Sequence, residues 1–118
     1  KMLLSMLKSK IHKAVVTDCE VDYQGSIAID RALMKAAGLV PYEKVLVANL
    51  ANGNRFETYA IPDKAGSGSV CLNGAAALLG SPGDRIIILA FALMTPRKAA
   101  RHKPKVVVIE GGNKIRRP

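Results

Sequence analysis

Aromatic side chains make up only 4% of the sequence, as three Tyr, two Phe and no Trp. That scarcity argues against a stacking platform for single strands or RNA loops. The two cysteines, Cys19 and Cys71, lie far apart and fit no metal or redox spacing. His12 and His102 are the only histidines and have no cysteine or carboxylate cluster around them, so no metal site is expected. No unbroken apolar run exceeds the nine residues Ile86–Met94, about half of the roughly 18 that would suggest a spanning helix. The opening Lys1-Met-Leu-Leu-Ser-Met-Leu7 is interrupted at once by Lys8 and Lys10. It reads as a first strand rather than a signal peptide. Reduced thiols and a cytoplasmic location are the expectation.

Acid is the other shortage. Nine Asp+Glu against 18 Lys+Arg leave a net charge of +9 over 118 residues, a length for one domain and one core. The excess is terminal: residues 1–13 carry +4, residues 97–118 carry +7, and residues 14–96 carry −2. A basic domain suggests nucleic acid first, and a small basic β-barrel binding nucleic acid through its ends is the alternative reading. The acidic body does not favour it.

What is present is a series of short strands with glycine-marked turns. Lys10–Thr17, Glu20–Tyr23, Ser26–Ile29, Lys44–Asn49, Arg55–Ile61, Ser69–Leu72, Arg85–Ala92 and Lys105–Ile109 all read as strands. Arg85–Ala92 is the most apolar and is expected in the core. Asp30 caps a helix over Arg31–Ala37 that Gly38 stops. Asn52-Gly53 marks a hairpin. Asn73 is expected to cap a short helix ended by Gly80, and Thr95-Pro96 to start a last one. The segment from Gly111 has no apolar periodicity and is expected to be mobile. Strands at this spacing favour a compact β-barrel.

No common catalytic signature stands out, but the order of local motifs does. Tyr23-x-Gly25-Ser26, Ile29-Asp30, Asn52-Gly53-x-Arg55-Phe56-x-Thr58-Tyr59 and Asn73-Gly74-Ala75-Ala76-Ala77 run through the chain, with Met6-Leu7-x-x-Lys10-Ile11-His12 before them and Gly83-Asp84 and Lys103-Pro104 after. Together they resemble the bacterial aspartate 1-decarboxylases, pyruvoyl-dependent enzymes that supply β-alanine for pantothenate.

That resemblance implies a mainly β fold, a six-stranded double-psi β-barrel with a few short helices, assembled as a homotetramer. It implies a single domain over 1–118 that cleaves itself between Gly25 and Ser26, giving chains 1–25 and 26–118, and it leaves room for a maturation partner. A serine hydroxyl attacks a preceding carbonyl only from a strained arrangement, and glycine tolerates unusual dihedrals and leaves the carbonyl open. Ser26 then becomes a pyruvoyl cofactor, which forms a Schiff base with L-aspartate and accepts the electrons freed by decarboxylation. The resemblance assigns Lys10 and Arg55 to the substrate carboxylates, Tyr59 to proton return, and Thr58, Asn73, Gly74, Ala75 and Ala76 to substrate binding. No nucleic acid and no membrane enter this reading. Strand alternation puts Arg55 and Tyr59 on one face and Thr58 on the other, which leaves open how all three serve one site. His12 matches the family weakly and reads as a satisfied surface or barrel-rim histidine.

Overall fold

A computed structural model describes residues 1–116. Among these, nine strands form one hydrogen-bonded sheet: β1 Leu4–Val15, β2 Asp18–Glu20, β3 Ser26–Asp30, β4 Lys44–Asn49, β5 Arg55–Asp63, β6 Val70–Asn73, β7 Arg85–Met94, β8 Lys105–Glu110 and β9 Lys114–Ile115. Their spatial order is β2-β6-β3-β5-β4-β7-β1-β8-β9. The pairings β1–β8, β2–β6 and β3–β5 are parallel and the others antiparallel.

The two ends of this order are stitched together. Thr17 N donates to Val70 O at 2.8 Å, and the Asn113 carboxamide bonds the Val15 backbone and Gly68 O. The mainly β, barrel-like class expected from the sequence holds. Nine strands replace the expected six, and the short edge strands β2 and β9 account for two of the three extra.

Period-two alternation builds the core. Ile11, Ile27, Ile29, Val47, Leu72, Ile86 and Ile88 have at most 1% of their surface exposed, each burial contributing about 1.5–3 kcal/mol. The strand β7, expected wholly in the core, is buried on one face only. Its alternate residues Phe91 and Leu93 are 46% and 68% exposed. Phe91 and Leu93 lie opposite Leu7 and Ser5 of β1 and face outward.

Helix α1, Arg31–Ala37, is closed as its sequence predicts: Asp30 accepts from Ala32 N at 2.8 Å and Gly38 takes φ 70°. Asp30 does more than cap. It also accepts from Gly66 N at 3.0 Å and Gly68 N at 2.9 Å, so it clips the β5–β6 loop to the start of the helix. Burial alone would raise its pKa. The three N–H donors and the Lys114 charge outweigh burial, and the carboxyl is held below its ordinary value.

Two sequence expectations change. The strand expected over Glu20–Tyr23 sits earlier, at Asp18–Glu20, and Val21–Tyr23 turn toward the Gly-Ser pair. The segment from Gly111 is a turn and a strand, anchored by the buried Asn113 at φ 56°. A polar side chain does that anchoring, so no apolar pattern announces it. The Asn-Gly hairpin forms as expected, β4 pairing antiparallel with β5, and asparagines at and in its loop converge: Asn49, Asn52 and Asn54 all donate to Leu79 O at 3.1–3.2 Å. Helix α2, Pro96–Ala99, starts at the Thr95 cap as expected. No helix of the described residues is long and apolar enough to cross a membrane.

Candidate active site

Ser26 opens β3 and is 1% exposed. It lies directly opposite Asn73 in the antiparallel β3–β6 pair. Asn73 Nδ2 donates to Ser26 Oγ at 3.1 Å, and Ser26 Oγ donates to Gln24 O at 3.1 Å. Asn73 was expected to cap a helix. Its side chain makes no capping bond, its backbone is extended, and Gly74–Leu79 is a 3₁₀ segment. The reason is register: residue 73 still belongs to the β6 ladder, so its side chain leaves the strand toward Ser26.

Cys71, two residues earlier on the same face, donates its thiol to Asn73 Oδ1 at 3.2 Å. Burial, with the carboxylates of Asp18, Glu20 and Asp63 nearby, pushes this thiol up to about 11, so it remains a neutral donor at pH 7. Cys71 was missed as a site residue. Its period-two spacing from Asn73 was the available signal.

The glycine requirement falls one step from where it was expected. Gly25 does not take a positive φ, and a Cβ there would meet open space. Gly74 does, at φ 68°, and a Cβ on it would stand 2.6 Å from Gly25 Cα and 2.8 Å from Gly25 N. Any side chain at 74 therefore collides with the peptide carrying the Gly-Ser pair. In front of that peptide is a cavity of about 320 Å³, lined by Gly25, Phe56, Thr58, Asn73, Ala75 and Ala76 among others. Thr58 lines this cavity with Gly25, and with β5 in unbroken register it stays on the opposite face of the strand from Arg55 and Tyr59.

Lys10, Arg55 and Tyr59 do not line that cavity, but the β3–β5 register, Ile27 opposite Ala60 and Ala28 opposite Ile61, puts Tyr59 beside Ser26 on the face that Ser26 and Ala28 share. Lys10 lies opposite Leu89, Leu89 opposite Leu46, and Leu46 opposite Glu57. Directly opposed residues share a face, so this row puts Lys10 on the same outer surface as Glu57 and its alternate neighbours Arg55 and Tyr59. Arg55 is exposed, and the Tyr59 ring lies 6.2 Å from that of Tyr42. His12, two residues beyond Lys10, is not the satisfied histidine expected. Its Nδ1 is buried without a hydrogen-bond partner among the described residues, and burial plus the charges of Lys10 and Lys13 lower its pKa.

The fold and site together define a small β-barrel with a Gly-Ser peptide bond set at the wall of a cavity, its serine hydroxyl buried and oriented. The family model for aspartate decarboxylase matches residues 2–116. Among similar proteins are the aspartate 1-decarboxylases of Salinibacter ruber (52% identical, over 97% of this chain and 78% of that protein), Dehalococcoides mccartyi (54%, over 93% and 89%) and Clostridium acetobutylicum (53%, over 97% and 90%). The chain belongs to the aspartate decarboxylase family.

Proposed function

We propose that this chain decarboxylates L-aspartate to β-alanine after cleaving itself between Gly25 and Ser26, which converts Ser26 into a pyruvoyl group. The observation that carries the reading is the buried Ser26 hydroxyl, held by Asn73 and Gln24 beside the Gly25 peptide. In the cleavage, Oγ bonds to the Gly25 carbonyl carbon as the bond to the Ser26 nitrogen breaks, giving an ester. Elimination releases the Gly25 carboxylate and leaves dehydroalanine, and one water then replaces its nitrogen with oxygen and frees ammonia. The surroundings fit the product. β3 pairs on both sides, to β5 and β6, so the new chain end stays in place, and Asn73 Nδ2 offers an N–H to an oxygen there.

A pyruvoyl group at position 26 supplies a ketone that takes up the substrate amine and withdraws electrons. The remaining work belongs to side chains. Arg55 presents a two-pronged donor suited to a carboxylate and Lys10 a second cation. Tyr59 returns one proton as a neutral phenol, while Thr58, Asn73, Gly74, Ala75 and Ala76 line the approach. Lys10 and Arg55 stand on strands three places apart, about 14 Å along the sheet at ordinary strand spacing. Both side chains are long and flexible and cover part of that distance. The exposed apolar surface of Phe91 and Leu93 between them supports a homo-oligomer, with the homotetramer as our reading, in which a second copy docked on the outer face closes the site. The unpaired thiols of Cys19 and Cys71 support a reducing, cytoplasmic setting.

Intact-mass spectrometry and denaturing electrophoresis test this directly. Fresh chain incubated warm is expected to split into 1–25 and 26–118 and to produce β-alanine from aspartate. Ser26→Ala is expected to stay whole and inert. A parent chain that stays whole and yields no β-alanine, or a Ser26→Ala chain that turns over, overturns the proposal.

A further inference from the structure

A carboxamide has two ends of nearly equal shape and opposite hydrogen-bonding sense. Asn73 must present the correct one to Ser26. With Nδ2 toward Ser26 Oγ, the serine's own proton is committed to Gln24 O. With the ends exchanged, Oδ1 would compete for that proton and free the hydroxyl to rotate. Something must choose between the two, and Cys71 is placed to do so. Its Sγ lies 3.2 Å from Asn73 Oδ1, and no second donor reaches that oxygen among the described residues. A neutral thiol donates weakly and accepts more weakly still, so it favours the oxygen end. Both side chains leave the same face of β6, opposite Ala28 and Ser26 of β3, so ladder register holds the relay in line from Cys71 through Asn73 to Ser26.

We infer that Cys71 is a positioning residue for self-cleavage: by donating to Asn73 Oδ1 it fixes the carboxamide in the sense that holds Ser26 Oγ for attack on the Gly25 carbonyl. The inference rests on the self-cleavage reading above. The step it serves forms the Oγ–C bond and breaks the C–N bond, and the hydroxyl proton ends on the Ser26 nitrogen. Cys71 neither gains nor loses a proton overall.

The test compares rates of fragment appearance from freshly made, uncut chain. Cys71→Ala removes the donor from a half-buried position and is expected to slow cleavage about tenfold, the factor an ordinary hydrogen bond is worth. Cys71→Ser keeps a donor and is expected to recover the rate to within about threefold. In an Asn73→Ala background, Cys71→Ala is expected to have no further effect, because its action runs through Asn73. Thermal unfolding of the uncut chains provides the control for mere structural damage. Cleavage of Cys71→Ala at the parental rate overturns the inference. So does a Cys71→Ser chain as slow as Cys71→Ala, or an additive effect in the Asn73→Ala background. A parent that never cleaves removes the self-cleavage reading and this inference with it, whereas a cleaving parent with an unaffected Cys71→Ala removes the inference alone.

Discussion

Two regions on one face of the sheet handle polar side chains in opposite ways. Around Ser26 every polar group is partnered within one chain: the thiol of Cys71, the carboxamide of Asn73, the hydroxyl of Ser26 and the carbonyl of Gln24 form one hydrogen-bonded line. Farther across that face, Arg55 is exposed, Phe91 and Leu93 are bare, and His12 Nδ1 has no partner among the described residues. The difference follows from the two tasks proposed for them. Breaking a bond inside the chain needs groups preorganised by the chain's own ladder. Holding a free dicarboxylate needs cations that the single barrel keeps strands apart.

The contrast can be broken most severely at Gly74. Gly74→Ala forces a side chain into a left-handed position and against Gly25 Cα; strain and collision together are expected to slow cleavage by about 10³-fold. Electrophoresis over days of incubation checks it, and a Gly74→Ala chain that processes normally would show that the 74–25 contact does not matter. Tyr59→Phe acts on the strand paired with that of Ser26 and is expected to affect turnover rather than cleavage. Fragments are expected at the parental rate while decarboxylation falls about 10²-fold, the usual scale for a lost general acid. Normal turnover would remove Tyr59 from proton return.

Phe91→Glu sharpens the comparison by charging the apolar face. Sedimentation is expected to report dissociated chains, with turnover down about tenfold at micromolar concentration and the Gly25–Ser26 bond still cut. Undisturbed assembly would show that this face is not the interface. The smallest effect on turnover is expected from Asp30→Asn, at the opposite end of β3 from Ser26. Asp30 has a folded pKa below its ordinary value, so its stabilisation is present above that ordinary value and is lost as pH falls through the lower, folded one. Parental stability should therefore be level near neutrality and fall in acid below about pH 4. Asp30→Asn should lose about 2 kcal/mol at pH 7, where one of three N–H donors faces an amide in place of a carboxylate, and should lack the acid-dependent part. Urea unfolding across pH checks both; identical curves would remove the clip.

Much of the scaffold was legible because its signals are local. Asp30 and Gly38 bracket α1, Thr95-Pro96 opens α2, and Asn52-Gly53 turns β4 into β5. What escaped depends on partners distant in sequence. Asn73 reads as a cap next to Gly74-Ala75-Ala76, yet its partner is Ser26, 47 residues away. Asn113 reads as part of a polar tail, yet it joins Val15 to Gly68. Strand β7 reads as all core because composition does not say which face a neighbour covers.

The sequence alone determined the strand-rich barrel, the Gly25-Ser26 pair and the residue types suited to a dicarboxylate, since propensity, turn chemistry and side-chain chemistry act over a few residues. Only the tertiary structure decided that Asn73 and Gly74 meet the Gly-Ser pair, that Tyr59 falls on the face of β5 shared with Ser26, and that Lys10 stands three strands away from β5. Strand register settles these placements, and register is fixed by pairings between distant segments whose hydrogen bonds no local pattern encodes.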